Sequence, residues 1–176
     1  MNYADIKSVD VANGPGVRVS LFVSGCKHHC DGCFNKETWD FSFGKPFGDK
    51  QTLWILELLK PKHIRGLSVL GGEPFDPANQ AAVLSLLKRV RAERPDKDVW
   101  CYTGYLYEQL RDHKIGEHSR ELLEQLDVLV DGPFVLDKKN LSLRFKGSEN
   151  QRIIKVRPSL ITGRLVEWED GGMANG

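Results

Sequence analysis

Apolar and β-branched residues are concentrated in RVSLFVS (18–24), which predicts a strand. TLWILELLK (52–60) is strongly apolar, reads as a helix, and stops before Pro61. GLSVLGG (66–72) reads as a short buried strand that ends in two glycines. PFDPANQAAVLSLLKRVRAE (74–93) follows as a helix, with Asp76 suited to the N-cap and Pro77 to the first helical position. Val83, Leu86, Leu87 and Val90 recur at i, i+3, i+4 and i+7 and define its apolar face. DVWCYTG (98–104) predicts a further strand, RELLEQL (120–126) a helix, DVLVDG (127–132) a strand, and QRIIKVR (151–157) a fifth strand. No internal repeat or low-complexity linker interrupts this alternation.

Strands alternating with helices predict an α/β fold with a parallel sheet and right-handed crossovers, either open or rolled into a barrel. In both forms a site is expected at the carboxyl ends of the strands. The unusual residues fall there. The segment SGCKHHCDGCFN (24–35) follows the first predicted strand, Gly71-Gly72-Glu73-Pro74 the second, Thr103-Gly104-Tyr105 the third and Asp131-Gly132-Pro133-Phe134 the fourth.

Composition narrows the class. At 176 residues the chain is expected to be one domain with a real core, and 40% hydrophobic with 28% charged residues is the balance of a soluble globular protein. A net charge of +1 gives no reason to expect a nucleic-acid polymer as partner. The opening MNYADIKSVD has no apolar signal-like core, and no run of eighteen apolar residues occurs, so no secretion and no membrane span are expected. A cytoplasmic location follows by default. Thiols stay reduced there, so clustered cysteines point to metal or redox chemistry rather than to a disulfide framework.

Three of the four cysteines, Cys26, Cys30 and Cys33, stand in C-x3-C-x2-C spacing. A structural zinc takes four N or S ligands, often from paired C-x2-C knuckles, and no second C-x2-C is present. His28 and His29 could supply a fourth ligand but lie inside the loop, where chelation beside Cys30 would strain it; they read as solvent-facing loop residues. Cys101 sits in an apolar strand and reads as a packing residue. The other reading is an iron–sulfur cubane, whose four irons each want a ligand. Three cysteines would leave one iron open, as in a catalytic rather than a structural metal site. Gly25 and Gly32 permit the positive φ and close approach that wrapping a cluster needs.

The C-x3-C-x2-C motif followed by Phe34, together with GGEP at 71–74, resembles the paired signatures of the radical S-adenosylmethionine superfamily. A narrower match runs from about residue 2 to 157. Ala12-Asn13-Gly14-Pro15-Gly16-Val17-Arg18, LFVSGC, CFNKETW, GGEP, TGY, VLVDGPF and LRFKGSENQRII resemble the family of activating proteins of anaerobic ribonucleoside-triphosphate reductase. Phe34 and Glu73 stand where that family often has Tyr and Asp.

This resemblance implies parallel βα repeats forming a partial, TIM-like barrel of the radical type over 1–158, with 159–176 as a partly flexible C-terminal extension. It implies that Cys26, Cys30 and Cys33 bind three irons of a [4Fe-4S] cluster, the fourth iron being chelated by S-adenosylmethionine. Gly32, Cys33 and Phe34 would border the adenosyl part. Gly71 and Gly72 would let the backbone approach the methionyl group, and Glu73 would receive its ammonium. The implied activity is that of an oxidoreductase: an electron from a donor such as flavodoxin cleaves the cofactor to a 5′-deoxyadenosyl radical. That radical takes hydrogen from a glycine Cα of the reductase large subunit, leaving a glycyl radical. Three alternatives remain: activation of another glycyl-radical enzyme such as pyruvate formate-lyase, a non-catalytic zinc-binding module, and a simple iron–sulfur electron carrier, which would want four protein ligands.

The other features have plainer readings. Asn13-Gly14-Pro15-Gly16 is a turn before the first predicted strand. Tyr102, Tyr105 and Tyr107 suit packing or a partner surface about equally. Asp131, ending an apolar strand, is placed to hydrogen-bond the rim or a ligand. Arg144, Lys146 and Arg152 read as a solvated basic strip. The Gly-rich tail at 169–176 is expected to be loose.

Overall fold

The structure, a computed structural model, describes residues 1–170. Seven strands and five helices succeed one another as β1 (Asn2–Asp10), β2 (Val17–Val23), β3 (Lys45–Pro46), α1 (Asp49–Leu58), β4 (Ile64–Gly71), α2 (Pro77–Glu93), β5 (Asp98–Tyr102), α3 (Tyr107–Arg111), α4 (Ser119–Glu124), β6 (Val128–Asp131), β7 (Arg152–Lys155) and α5 (Val156–Thr162). They form one sheet in the order β3-β1-β2-β4-β5-β6-β7.

The predicted parallel βα repeats hold for the centre only. β2, β4, β5 and β6 are parallel, joined through α1, α2 and the α3–α4 pair. The edges reverse: β1 runs antiparallel to β2, β3 to β1, and β7 to β6. The sheet is therefore mixed, with its seven strands in linear order and the parallel repeats confined to the centre.

Each departure has a local cause. β1 carries few apolar residues, and its buried positions, Tyr3, Ile6 and Asp10, are irregularly spaced around register shifts in its pairing with β2. A period-two signal is thus missing. β7 was expected as a fifth parallel strand. The segment between β6 and β7 contains only a short 3-10 helix, Leu136–Lys138, so no crossover helix carries the chain back beneath the sheet, and β7 returns antiparallel. The helix predicted over 74–93 begins at Pro77, because the Asp76 carboxylate accepts from Ala78 N–H at 2.9 Å and caps it there.

Alternation along the strands sorts two faces. Val19, Leu21, Val23, Leu67, Val69, Val99, Cys101 and Leu129 point to the helices and join Ile55, Leu56, Val83, Leu86, Leu87, Val90, Leu122 and Leu123 in the main core. The other face is covered without helices: Trp100, Val128 and Val130 pack with Phe145, Ile153 and Trp168. Leu160 and Leu165 also pack on the main core, so the chain beyond 158 is tied to the sheet as far as it is described; of the tail expected to be loose, residues 171–176 lie outside the described residues.

The second face contains a fully buried cation. Arg18 reaches Ser68 Oγ at 2.8 Å, Leu67 C=O at 3.1 Å, Pro15 C=O at 3.2 Å and the Asp98 carboxylate at 2.6 Å, with its guanidinium over the Trp100 ring. Ser68 in turn donates to Asn13 C=O at 2.6 Å. The Asn-Gly-Pro-Gly turn is thereby pinned to the sheet. Arg18→Met should strand these acceptors and lower stability by about 3 kcal/mol. Urea unfolding of the metal-free chain measures it, and an unchanged midpoint would show that the network contributes nothing net.

Candidate iron–sulfur site

All four predicted loops meet at the carboxyl end of the parallel strands. They line one cavity of ≈ 540 Å³, whose walls include Cys26, Cys30, Cys33, Gly72, Glu73 and Phe134. Phe34, Gly71, Thr103 and Gly104 line it as well, whereas Cys101 is fully buried in the main core. Gly32 borders the same rim through Leu136 and Phe134, which a Cβ at that position would meet at 2.7 and 3.4 Å.

The cysteine loop is held at its root by backbone pairing. Gly25 N–H donates to Thr38 C=O at 2.7 Å and Cys26 N–H to Trp39 C=O at 3.1 Å, so the 3-10 helix Lys36–Trp39 closes the loop from behind. The three thiols are half-buried and free. Burial pushes the Cys26 thiol up to about 11, against the pull of the His28 backbone N–H, and the Glu73 charge adds to the rise. Burial also raises Cys30, opposed by the Phe134 backbone N–H. Asn35 N–H donates to Cys33 Sγ at 3.4 Å. Such thiols shed their protons on meeting a metal, and backbone N–H groups aimed at sulfur tune what binds.

The donor set fits a cluster. Among the described residues no three His, Cys, Asp or Glu side chains converge as ligands of one ion. A cubane asks for no such convergence, because each thiolate binds a different iron. The adjoining cavity has the size of a small-molecule site.

The Gly-Gly-Glu-Pro turn lies against the root of this loop. Gly71 has φ +105°, and a Cβ there would lie 2.7 Å from the Val23 backbone N and O. A Cβ at Gly72 would lie 2.6 Å from Gly25 C=O. Gly72 N–H donates to Val23 C=O at 2.7 Å and Glu73 N–H to Gly25 C=O at 2.8 Å. Asn79, from the first turn of α2, donates to both Ser24 C=O and Glu73 C=O at 3.0 Å. These glycines therefore serve a backbone-to-backbone contact with the cysteine loop.

Glu73 is 1% exposed, and both its oxygens are occupied. Oε1 accepts from Thr103 Oγ at 2.8 Å and Phe75 N–H at 2.9 Å. Oε2 accepts from Gly104 N–H at 2.8 Å and pairs with His28 Nε2 at 2.9 Å. His28 was expected to be a solvent-facing loop residue. Instead its ring lies edge-on to Tyr105 at 4.5 Å, and the hydrogen bond to Glu73 raises its pKa over the opposing effect of burial. His29 stacks on Trp39 at 4.4 Å from a left-handed backbone, φ 47°. The sequence signal for both was the double histidine itself; nothing local revealed their partners, which lie far along the chain for His28 and across the loop for His29.

The opposite wall comes from the Asp131-Gly132-Pro133-Phe134 loop. Asp131 is fully buried and hydrogen-bonds the rim: its carboxylate accepts from Tyr107 N–H at 2.7 Å and pairs with Arg152, which also holds Glu108 at 2.8 Å. Tyr107 is a core residue. The basic residues stay at least partly exposed, as expected of a solvated strip, but each has a partner: besides Arg152, Lys146 donates to Gln151 C=O at 3.0 Å, and Arg144, 62% exposed, pairs with Asp170. Phe34 is 62% exposed at the cavity mouth, edge-on to Phe134 at 5.3 Å, with Lys139 Nζ over its ring.

The sequence profile of the 4Fe-4S single cluster domain family matches residues 12–154, a span that takes in the half-buried cysteine loop over the ends of the parallel strands, and it places the chain among iron–sulfur proteins. The particular relatives are consistent. A protein of Pasteurella multocida is 45% identical over 157 residues, 88% of this chain and 98% of its own. One of Vibrio cholerae is 46% identical over 155 residues, covering 87% and 97%. One of Escherichia coli K12 is 42% identical over 159 residues, covering 89% and 100%. Each is named an anaerobic ribonucleoside-triphosphate reductase-activating protein, and the chain belongs to that family.

Two outcomes test the geometry. Gly71→Ala should destabilise the metal-free chain by about 3 kcal/mol in urea unfolding, because it combines strained φ with a backbone clash; a loss near zero would show that the turn can relax. The second concerns acid. The Arg152 hydrogen bond outweighs burial and holds the Glu108 carboxyl below the usual range. A folded value below the unfolded one adds stability above about pH 4.3, which is lost as pH falls through the folded value. Arg152→Met should cost about 3 kcal/mol near neutrality, because the buried Asp131 keeps its bond from Tyr107 N–H but loses its cation, and should flatten that acid-dependent loss. Urea midpoints from about pH 3 to about pH 7 read both effects.

Proposed function

We propose that this chain activates an anaerobic ribonucleoside-triphosphate reductase as a radical S-adenosylmethionine oxidoreductase. One observation carries the reading: three free thiols in C-x3-C-x2-C spacing and the Gly-Gly-Glu-Pro turn line one cavity at the carboxyl ends of parallel strands. A [4Fe-4S] cluster held by these thiols would supply, with S-adenosylmethionine and one electron from an external donor, reductive cleavage of that cofactor, and the hydrogen then taken would come from a glycine Cα of the reductase large subunit.

The chain's own residues prepare the place. Cys26, Cys30 and Cys33 are the metal ligands, half-buried in the wall of the cavity. Gly32, Cys33 and Phe34 border the adenosyl part, with the Phe34 ring braced by Phe134. Gly71, Gly72 and Glu73 close the methionyl end. Phe34 at the mouth leaves an apolar surface where a peptide loop can enter. The radical domain is assigned to 1–158 and a C-terminal extension to 159–176. Among the described residues no helix is long and apolar enough to cross a membrane; a cytoplasmic location and an electron donor such as flavodoxin complete the proposal.

Anaerobic reconstitution should give a brown protein with about four irons per chain. With dithionite and S-adenosylmethionine it should release 5′-deoxyadenosine, and with the reductase it should raise a glycyl-radical EPR signal. Cys26→Ala, Cys30→Ala or Cys33→Ala should abolish cleavage, while Cys101→Ala should leave the iron content intact. A colourless zinc protein that never cleaves the cofactor would overturn the reading, and a signal only with pyruvate formate-lyase would redirect it to that partner.

A further inference from the structure

The cysteine loop is tied to the Gly-Gly-Glu-Pro turn by backbone bonds at residues 23 and 25, before its first thiol. Between Cys26 and Cys30 the ties are side chains. Lys27 is 70% exposed and stands 3.6 Å from the Asp76 carboxylate, a solvent-screened contact. His28 is different: its Nε2 meets the buried Glu73 carboxylate at 2.9 Å, and its ring is seated against Tyr105 and the bare Cα of Gly104, where a Cβ would lie 2.6 Å from His28 Cδ2.

The same carboxylate receives three other hydrogen bonds, from Phe75 in its own turn and from Thr103 and Gly104 at the end of β5. Phe75 and Gly104 donate through backbone N–H. Thr103 Oγ accepts from Tyr105 N–H and so turns its own proton to Glu73. A carboxylate so placed only accepts, which assigns the proton on His28 to Nε2. With four donors on two oxygens and 1% exposure, Glu73 has no position left for a ligand's ammonium unless one of these partners leaves.

We propose that His28 is a positioning residue: through Nε2 it anchors the Cys26–Cys30 segment to Glu73, and Glu73 acts on the site by holding that segment rather than by receiving the ammonium of S-adenosylmethionine. The statement about the cofactor rests on the proposed function; the anchor itself does not.

Hydrogen exchange of the metal-free chain tests the anchor without any cofactor. A hydrogen bond to a charged group is worth a factor of about ten or more in local opening. His28→Ala should speed exchange of the backbone N–H groups of 26–34 by about that factor, with β4 and β5 unchanged. His28→Gln, which keeps a terminal N–H donor, should recover part of the protection. His28→Ala combined with Glu73→Gln should exchange no faster than the faster single variant. Unchanged exchange in His28→Ala, or additive effects in the double variant, would overturn the anchor.

Ligand binding tests the second half. Equilibrium dialysis of the cluster-loaded protein would compare S-adenosylmethionine with its analogue lacking the amino group. As an anchor, Glu73→Gln weakens both by the same factor, and His28→Ala does likewise. A loss confined to S-adenosylmethionine in Glu73→Gln would assign the ammonium to Glu73 and overturn that half. If the wild-type protein bound neither compound, the proposed function would fail, and hydrogen exchange would still decide the anchor.

Discussion

A carboxylate removed from water must be met by donors, and Glu73 is met from three directions. Its own turn, the end of β5 and the cysteine loop each contribute, so one side chain fixes three rim segments at once. The backbone contacts of Gly71 and Gly72 with Val23 and Gly25 do the same job one step earlier in the chain. The thiols depend on this junction for their placement. A loop rich in glycine and polar residues has little apolar surface to bury and would otherwise sample many conformations.

The sheet supplies the rigid base. One face is a conventional apolar core against α1, α2 and α4, while the other combines aromatic packing with a buried Arg18 and a hydrogen-bonded Asp10. Burial would raise the Asp10 carboxyl, but bonds from Ser20, Asn13 and Ala12 outweigh it and hold it below the usual range. This polar inner face fastens the β1–β2 turn, whose Asn13 lines the same cavity as the cysteines. Covering that face with the 133–150 loop and the segment reaching Trp168, rather than with helices, leaves the cavity open towards the mouth at Phe34.

Family membership and the site geometry agree on an iron–sulfur protein, yet they weight the motifs differently. The profile match and the relatives span most of the chain. Within it, the Gly-Gly-Glu-Pro turn is engaged with the cysteine loop itself. The structure thus gives the second motif a scaffolding task, whatever it further does for a ligand. The double histidine divides likewise: one ring anchors to Glu73, the other stacks on Trp39.

The local sequence determined the central strands through their apolar, β-branched runs, the apolar face of α2 through its spacing, and the Asp76-Pro77 start through its capping residues, because burial forces the first two and a cap is chosen locally. The spacing of Cys26, Cys30 and Cys33, and the convergence of four loops on one rim, were also legible, since parallel strands deliver their carboxyl ends to one edge. The tertiary structure decided what depends on partners distant in the chain. β1 has too few apolar residues to announce itself and is a strand because β2 pairs with it. β7 reverses because nothing carries the chain beneath the sheet before it. Arg144, Lys146 and Arg152 look basic in sequence but are engaged once Asp170, Gln151, Asp131 and Glu108 arrive. His28 looked like a loop residue until folding brought Glu73 within hydrogen-bond reach, and no local pattern encodes a contact across 45 positions of chain.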